Sequence, residues 1–225
     1  MRKSSSEFLA KHIVKVTVIY VFVLYAACVG TWLFERQLER QFPFLASAMP
    51  QSIFWITMKL LLWILPSIVI INLSGRKLSD VIAFKRIVPA LMWGGGIGLV
   101  LGGITILTRL FGHQPLFSID LSWPFFSGVI VSPIVEEITF RGAVLGVLQK
   151  KFSFAVSNIF TALMFMGAHL PGWYFQGVLK ANLLNPTGGA LSVFLLGLVF
   201  GYVAHKSKSV AGSTVAHMLN NFFNA

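Results

Sequence analysis

The chain has 225 residues, of which 56% are hydrophobic and 11% are charged, and its mean hydropathy is +0.79. A soluble domain usually carries about 25% charged residues, so this composition excludes an ordinary soluble protein and indicates a membrane protein. The net charge of +11 does not indicate nucleic-acid binding, because the basic residues lie mostly between apolar runs, where lipid headgroups and membrane topology account for them. The single cysteine, Cys28, excludes an intrachain disulfide and a CxxC metal site.

Seven apolar runs approach or reach the length of about 20 residues that a helix needs to cross a bilayer. They lie near residues 13–34, 53–73, 88–109, 124–149, 154–170, 187–205 and 209–223. No small-residue cleavage site follows the first run, so we expect a retained span and not a removed signal peptide. The sequence predicts an all-α, polytopic membrane bundle of about seven, or eight, transmembrane helices, with residues 1–225 forming one membrane domain.

Three of these runs contain residues that bear on helix shape and packing. In the second run, Pro66 predicts a kink, and Lys59 lies near enough to the apolar end for its ammonium to reach the membrane interface. In the third run, glycines recur every four residues and predict a stripe that a neighbouring helix can approach closely. The sixth run contains two glycines with the same spacing, which predict a second stripe of this kind. The glycines of the two stripes are Gly94, Gly98, Gly102, Gly197 and Gly201.

The connections between the runs alternate in charge. The N-terminus, the loop RKLSDVIAFKR, the pair Lys150 and Lys151, and the turn with Lys206 and Lys208 are basic. The positive-inside rule therefore predicts a cytoplasmic N-terminus and, with seven spans, an external C-terminus. Residues 169–189 combine Pro, Gly, Asn and aromatic side chains, which predicts an interfacial or re-entrant loop.

The fourth run contains the stretch VSPIVEEITFRGAVLG, which holds two adjacent carboxylates and an arginine. Glu137 and Arg141 are four residues apart, so on a helix they share a face and can pair, which makes their burial tolerable. Glu136 points about 100° away and is not served by Arg141. A glutamate in this position suits a general base. The alternative is a structural ion pair beside a protonated second glutamate.

Two more apolar segments bring polar side chains to membrane depth. His169 follows Phe165 by one helical turn, and Asn221 follows His217 by one turn on the same face. Each histidine alone is more typical of an interfacial or hydrogen-bonded residue. With Glu136, however, the set suits water activation by a carboxylate and an imidazole, and stabilisation of an oxyanion by imidazole and amide N–H groups.

The same side chains also suit a metal ion. Two histidines and one glutamate with an open position form a known catalytic zinc set, for which Glu136, His169 and His217 would be the ligands. The HExxH motif is absent and the two histidines come from different helices, yet neither fact excludes zinc. From the residues alone, metal-free and zinc-dependent chemistry both stay open.

Three motifs occur in order on apolar segments: EExxxR, FxxxH and HxxxN. Their residues are Glu136, Glu137, Arg141, Phe165, His169, His217 and Asn221. In this order the motifs resemble the CPBP family, also called Abi, which contains CAAX prenyl endopeptidases and bacteriocin-processing or immunity proteins. The resemblance covers residues 124–223, which would be the catalytic core. It implies a helical membrane fold around an internal polar cavity, and an intramembrane endopeptidase that cuts a membrane-embedded or amphipathic peptide or protein.

The resemblance also implies a role for each motif residue. Glu136 would be the general base that activates water, and His169 would hold that water. His217 and Asn221 would stabilise the oxyanion. The remaining motif residues would support these four: Glu137, Arg141 and Phe165. No cofactor is implied, so metal-independent glutamate chemistry is favoured over the zinc alternative.

Two other classes of protein remain open on the sequence. One is a non-catalytic immunity or peptide-binding membrane protein of the same family, and the other is a proton-coupled transporter, for which no inverted repeat is found. We expect membrane lipids and a peptide or membrane protein as partners, and location in a bacterial cell membrane, while the oligomeric state is left open. With a cytoplasmic N-terminus, the fifth run places His169 nearer the external side, which argues against a prenylated CAAX substrate.

Overall fold

The computed structural model describes residue 8 and residues 10–116 and 122–225. These residues form helices and contain no strand, which confirms the all-α prediction for the described part. Short 3-10 turns lie at Pro43–Ala46 and Phe84–Arg86. The helices are α1 (Ile13–Gln41), α2 (Ala48–Leu73), α3 (Leu78–Ile82), α4 (Ile87–Phe111), α5 (residues 123–148), α6 (Phe154–Gly167), α7 (Leu170–Phe175), α8 (Leu179–Leu184), α9 (Ala190–Ser207) and α10 (Val210–Asn224).

Five helical stretches of the described chain are long and apolar enough to cross a membrane. They are α1, α2, Leu78–Phe111, Phe154–Phe175 and α9. The other two predicted runs correspond to α5, which carries the charged motif residues, and to α10, which has 15 residues. The chain is therefore an integral membrane protein with the predicted polytopic bundle, in which five helical stretches are long and apolar enough for a span and α5 and α10 pack with them.

The helix α2 is irregular at its centre. A π-helical turn, Leu60–Ile64, lies just before Pro66. Because proline has no N–H, the carbonyl of Leu62 needs a donor from elsewhere. The Tyr20 hydroxyl of α1 lies within hydrogen-bonding distance of the carbonyl oxygens of Leu62 (3.2 Å) and Trp63 (3.1 Å). The irregularity at Pro66 therefore ties α2 to α1.

The glycine stripe of α4 faces α10. A Cβ atom on Gly98 would collide with Leu219, one on Gly102 with the Phe223 ring, and one on Gly94 with the backbone of α10. Because these positions have no side chain, α4 and α10 make the most extensive helix–helix contact in the described part of the chain. The predicted packing role of the stripe is confirmed.

One end of the bundle is basic. Arg76 at the end of α2, Gln149 after α5 and Lys208 after α9 line one polar pocket. Nearby, the Lys150 ammonium donates to the carbonyl of Ser74. We call this region the basic end. Its composition agrees with the alternation of charge along the sequence, and the assignment of this end to the cytoplasm stays a prediction.

The opposite end is aromatic. The Trp32 ring lies 4.7 Å from the Trp55 ring and 5.6 Å from the Phe175 ring, measured between centroids. These side chains come from the second half of α1, the start of α2 and the end of α7. The Arg36 guanidinium closes the group by donating to the carbonyl of Phe175 at 2.6 Å. We call this region the aromatic end.

Candidate active site

The helix that carries both glutamates alternates between two geometries. Ser132–Glu137 is α-helical, and π-helical segments lie on either side of it, at Ser127–Val131 and Ile138–Leu145. Pro133 follows the first π segment, where its missing N–H disturbs the regular ladder. Such π turns are frequent at functional sites. Since the central segment keeps α geometry, its two adjacent glutamates diverge by about 100°.

Glu137 is fully buried, and one of its oxygens has two partners. Arg141 Nη1 lies 2.9 Å from Glu137 Oε1, and His217 Nδ1 lies 3.0 Å from the same atom. The pair with Arg141 is the one that the four-residue spacing predicts. The bond to His217 was not predicted, because 80 residues separate the two side chains and no periodicity connects them. We call Glu137, Arg141 and His217 the sealed cluster.

The Arg141 guanidinium is enclosed on its remaining sides. Its Nη2 donates to the carbonyl of Gly197 at 2.8 Å. Its Cζ lies 4.5 Å from the centroid of the Phe165 ring and 5.6 Å from that of Phe200. Guanidinium groups stack favourably on aromatic faces, so Phe165 supports the ion pair through its ring.

Glu136 has a different environment from Glu137. Its side chain is 12% exposed and lines a cavity of about 440 Å³. Its nearest basic group is His217, whose Nε2 lies 4.0 Å from Glu136 Oε2. His217 therefore contacts Glu137 with one ring nitrogen and faces Glu136 with the other. The separation of the two carboxylates that the sequence predicts is present in the structure.

The cavity is formed by α1, α2, α5 and the junction of α6 and α7, towards the aromatic end. Glu136 and His169 share its wall, whereas His217 and Asn221 are not among the residues that line it. Aromatic and polar side chains make up much of the remaining wall. These residues include Thr31, Trp32, Gln51, Ser52, Trp55, Lys59, Trp63, Ser127, Gly128, Ser132, Trp173 and Gln176.

His169 is held in one orientation at the junction of α6 and α7. Its Nδ1 lies 2.9 Å from the carbonyl oxygen of Phe165. A carbonyl can only accept a hydrogen bond, so Nδ1 carries the hydrogen, and in the neutral ring Nε2 is left as an acceptor. The ring also packs edge-on against Phe165 and at a tilt of 45° against Trp173, with centroids 4.9 Å and 5.7 Å away. A water molecule in the cavity could therefore donate to His169 Nε2.

Asn221 lies one turn from His217 on α10, as predicted. Its Nδ2 donates to the carbonyl of Gly128 at 3.0 Å, within the first π segment of α5. The amide keeps a second N–H. Gly128 lines the cavity and Asn221 does not, so Asn221 is connected to the cavity wall through this hydrogen bond.

The described residues do not form a metal site. No set of three or more His, Cys, Asp or Glu side chains in this part of the chain has the spacing to hold a metal ion. The zinc alternative, with Glu136, His169 and His217 as ligands, gains no support from this geometry and stays a prediction, and no chemical step is assigned to it. Metal-independent chemistry stays a prediction.

Lys59 is a cavity residue whose position along its helix differs from the sequence prediction. The helix α2 begins at residue 48 and not near residue 53, so Lys59 lies near its centre and far from either end. Its ammonium donates to Ser132 Oγ at 2.5 Å and lines the same cavity as Glu136. The predicted start of this helix is wrong by about five residues, and the expectation that Lys59 reaches the membrane interface stays a prediction. The charge of Lys59 within an apolar run was the signal in the sequence that could have identified it as a cavity residue, because ionisable residues inside spans are usually functional.

Comparison with known proteins bears on the part of the chain that carries the motifs. No curated protein and no solved structure matches the chain. A family model does match, over residues 118–223, and this range contains every residue of the three motifs. The model is that of the type II CAAX prenyl endopeptidases, Rce1-like, and the match confirms the resemblance to the CPBP family.

Proposed function

We propose that the protein is an intramembrane endopeptidase that hydrolyses a peptide bond of a membrane-embedded or amphipathic peptide or protein. The observation that carries the proposal is the contrast between two adjacent carboxylates. Glu137 is neutralised in the sealed cluster, whereas Glu136 shares a cavity wall with His169. The family match supports a CAAX-type intramembrane protease as the class of enzyme.

In the proposed reaction, Glu136 acts as the general base. A water molecule between Glu136 and His169 donates one hydrogen to the carboxylate and the other to His169 Nε2. As Glu136 removes the proton, the oxygen of the water attacks the carbonyl carbon of the scissile bond. The protonated Glu136 then returns the proton to the leaving nitrogen, so the carboxylate is regenerated at the end of the cycle.

His217 and Asn221 would stabilise the oxyanion of the tetrahedral intermediate. His217 Nδ1 donates to Glu137, so a proton on Nε2 makes the ring an imidazolium that can donate on its other side. With that proton, the charges of Glu136, Glu137, Arg141 and His217 sum to zero, which makes their burial tolerable. The second N–H of Asn221 would be the other donor.

The experiment is a cleavage assay in lipid nanodiscs with an amphipathic peptide that carries a fluorophore and a quencher. Glu136→Gln should lower kcat by about 10²–10⁴-fold, the usual contribution of a general base, without changing the unfolding temperature. Glu39→Gln is the matched control, because Glu39 is a carboxylate at the end of α1 that does not line the catalytic cavity. Full activity of Glu136→Gln would refute the proposal.

A non-catalytic peptide-binding or immunity protein is the second candidate, and the aromatic wall of the cavity favours it. In that case Glu136→Gln and His169→Gln would keep full peptide binding and full protection of cells, and no cleavage would be detected with any peptide. A binding assay and a cleavage assay on the same nanodisc preparation separate the two candidates.

We also propose that the protein lies in a bacterial cell membrane with the basic end in the cytoplasm. The cavity would then open towards the external side, because it lies towards the aromatic end. Single cysteines at Lys151 and at Lys180, in a Cys28→Ser background, should react with an impermeant reagent from opposite sides of the membrane. Reaction from the same side would refute this topology.

A further inference from the structure

Lys59 is a cation near the centre of a membrane-spanning helix, and it has an unusual lack of acidic partners. Its side chain is half-buried, and its one described hydrogen bond is to the hydroxyl of Ser132. Within the described part of the chain, no carboxylate lies within 4.0 Å of the ammonium. A charge in this environment is costly unless a counter-charge is supplied. The cavity that Lys59 lines is the space from which such a group can come.

The position of Lys59 relative to Glu136 follows from α5. Ser132 and Glu136 are four residues apart in the α-helical segment, so they lie on the same face, with Cβ atoms about 6 Å apart. Ser132 is nearer the start of α5, which lies towards the aromatic end. The ammonium of Lys59 is therefore on the same wall as Glu136, about one helical turn closer to that end.

We propose that Lys59 binds a carboxylate of the substrate peptide, about two residues from the scissile bond, since an extended chain advances about 3.3 Å per residue. This inference rests on the proposed function of Glu136. The C-terminal carboxylate of a peptide and the side chain of Asp or Glu both offer this group. Ser132 accepts from Lys59 and keeps its own hydroxyl hydrogen, so it can donate to the second carboxylate oxygen.

The residues around Lys59 strengthen its attraction for a substrate carboxylate. The cavity wall includes Trp55, Trp63 and Trp173, whose rings make part of this cavity apolar. The attraction between opposite charges is several times larger in such a medium than in bulk water. A substrate carboxylate would also restore neutrality to the region around Lys59.

The test uses three peptides of the same apolar sequence: a C-terminal acid, a C-terminal amide, and an amide with aspartate two residues from the cleaved bond. Wild type should cleave one or both carboxylate peptides with kcat/KM about tenfold to a hundredfold above the amide, as expected for a charged hydrogen bond. Lys59→Met should bring this ratio close to one. Lys180→Met, which removes an exposed lysine from α8, should keep the ratio. The better carboxylate peptide identifies the source of the group.

Other results overturn the inference. A ratio of kcat/KM between carboxylate and amide peptides near one in wild type would overturn it. An equal loss of activity towards all three peptides in Lys59→Met would also overturn it, since Lys59 would then act on Glu136 and not on the substrate. If wild type cleaves no peptide, the proposed function fails. The binding of labelled peptides to wild type and to Lys59→Met then tests the inference. If wild type binds the carboxylate peptides more tightly than the amide and Lys59→Met does not, the inference is supported. If both proteins bind all peptides equally, it is refuted.

Discussion

Two adjacent glutamates of α5 lie in different environments on the two sides of the helix. On one side, Glu137 is buried in the sealed cluster with Arg141 and His217. On the other side, Glu136 faces a cavity that also holds His169 and Lys59. The difference indicates that one carboxylate is paired for stability while its neighbour is kept accessible for chemistry. Changes on the first side should therefore affect folding, and changes on the second should affect activity.

The largest effect on folding is expected from Arg141→Met. The substitution leaves Glu137 buried beside a histidine without its arginine, and breaking a buried pair in this way costs about 3–5 kcal/mol. Tryptophan fluorescence during unfolding in detergent micelles measures the change. The double variant Glu137→Gln with Arg141→Met should recover part of the loss, because no isolated charge remains.

Lys151→Met is the control for Arg141→Met, because Lys151 is an exposed basic residue at the basic end. Its free energy of unfolding should stay within about 0.5 kcal/mol of wild type. If Arg141→Met is equally stable, the cluster does not hold the helix and the contrast between the two sides is wrong.

His169→Gln should have the next largest effect, and it tests the open side. Glutamine is a polar side chain of similar length, but it lacks the fixed ring nitrogen Nε2 that would accept a hydrogen bond from the water. We therefore expect kcat to fall by about a hundredfold, at the low end of acid–base contributions. The peptide cleavage assay measures this change, and the unfolding temperature should stay unchanged. A large loss of stability with normal activity per folded molecule would contradict the assigned role.

Phe165→Leu should produce a smaller effect on both sides. The Phe165 ring lies 4.5 Å from the Arg141 guanidinium and 4.9 Å from the His169 ring. Loss of the cation–π contact should lower the free energy of unfolding by about 1–2 kcal/mol, and looser packing of His169 should lower kcat several-fold. Phe160→Leu, on the exposed face of α6, is the control. An effect on one readout alone would show that Phe165 serves only one side.

Ser132→Ala should have the smallest effect. Alanine removes the hydroxyl that contacts Lys59 but leaves the ammonium, so the preference for carboxylate peptides should fall only by the value of one hydrogen bond, about 0.5–1.5 kcal/mol. The ratio of kcat/KM between the acid and amide peptides measures it. A complete loss of preference would mean that the hydroxyl, and not Lys59, holds the carboxylate.

Much of this arrangement could be predicted from spacing within single helices. The pair of Glu137 and Arg141, the divergence of Glu136 and the shared face of His217 and Asn221 all follow from four-residue or one-residue offsets along an α-helix. The glycine stripe of α4 could be predicted for the same reason. Each of these features depends on one helix alone.

Contacts between helices could not be predicted in this way. Spacing does not show that α10 is the helix that covers the α4 stripe, or that His217 would reach Glu137. The start of α2 was predicted about five residues too late because hydropathy alone set it, and residues 48–51 are less apolar than the run that follows. Which wall Lys59 faces depends on how α2 packs against α5, and that information is not local.

The packing of α4 against α10 also has a consequence for the order of assembly. His217 lies on α10, and α10 rests on Gly94, Gly98 and Gly102, which belong to a part of the chain outside the family match. A fragment restricted to the matched region would leave the α10 side chains that fill this stripe facing lipid tails. During biosynthesis the sealed cluster would stay incomplete until α10 docks on a helix inserted much earlier.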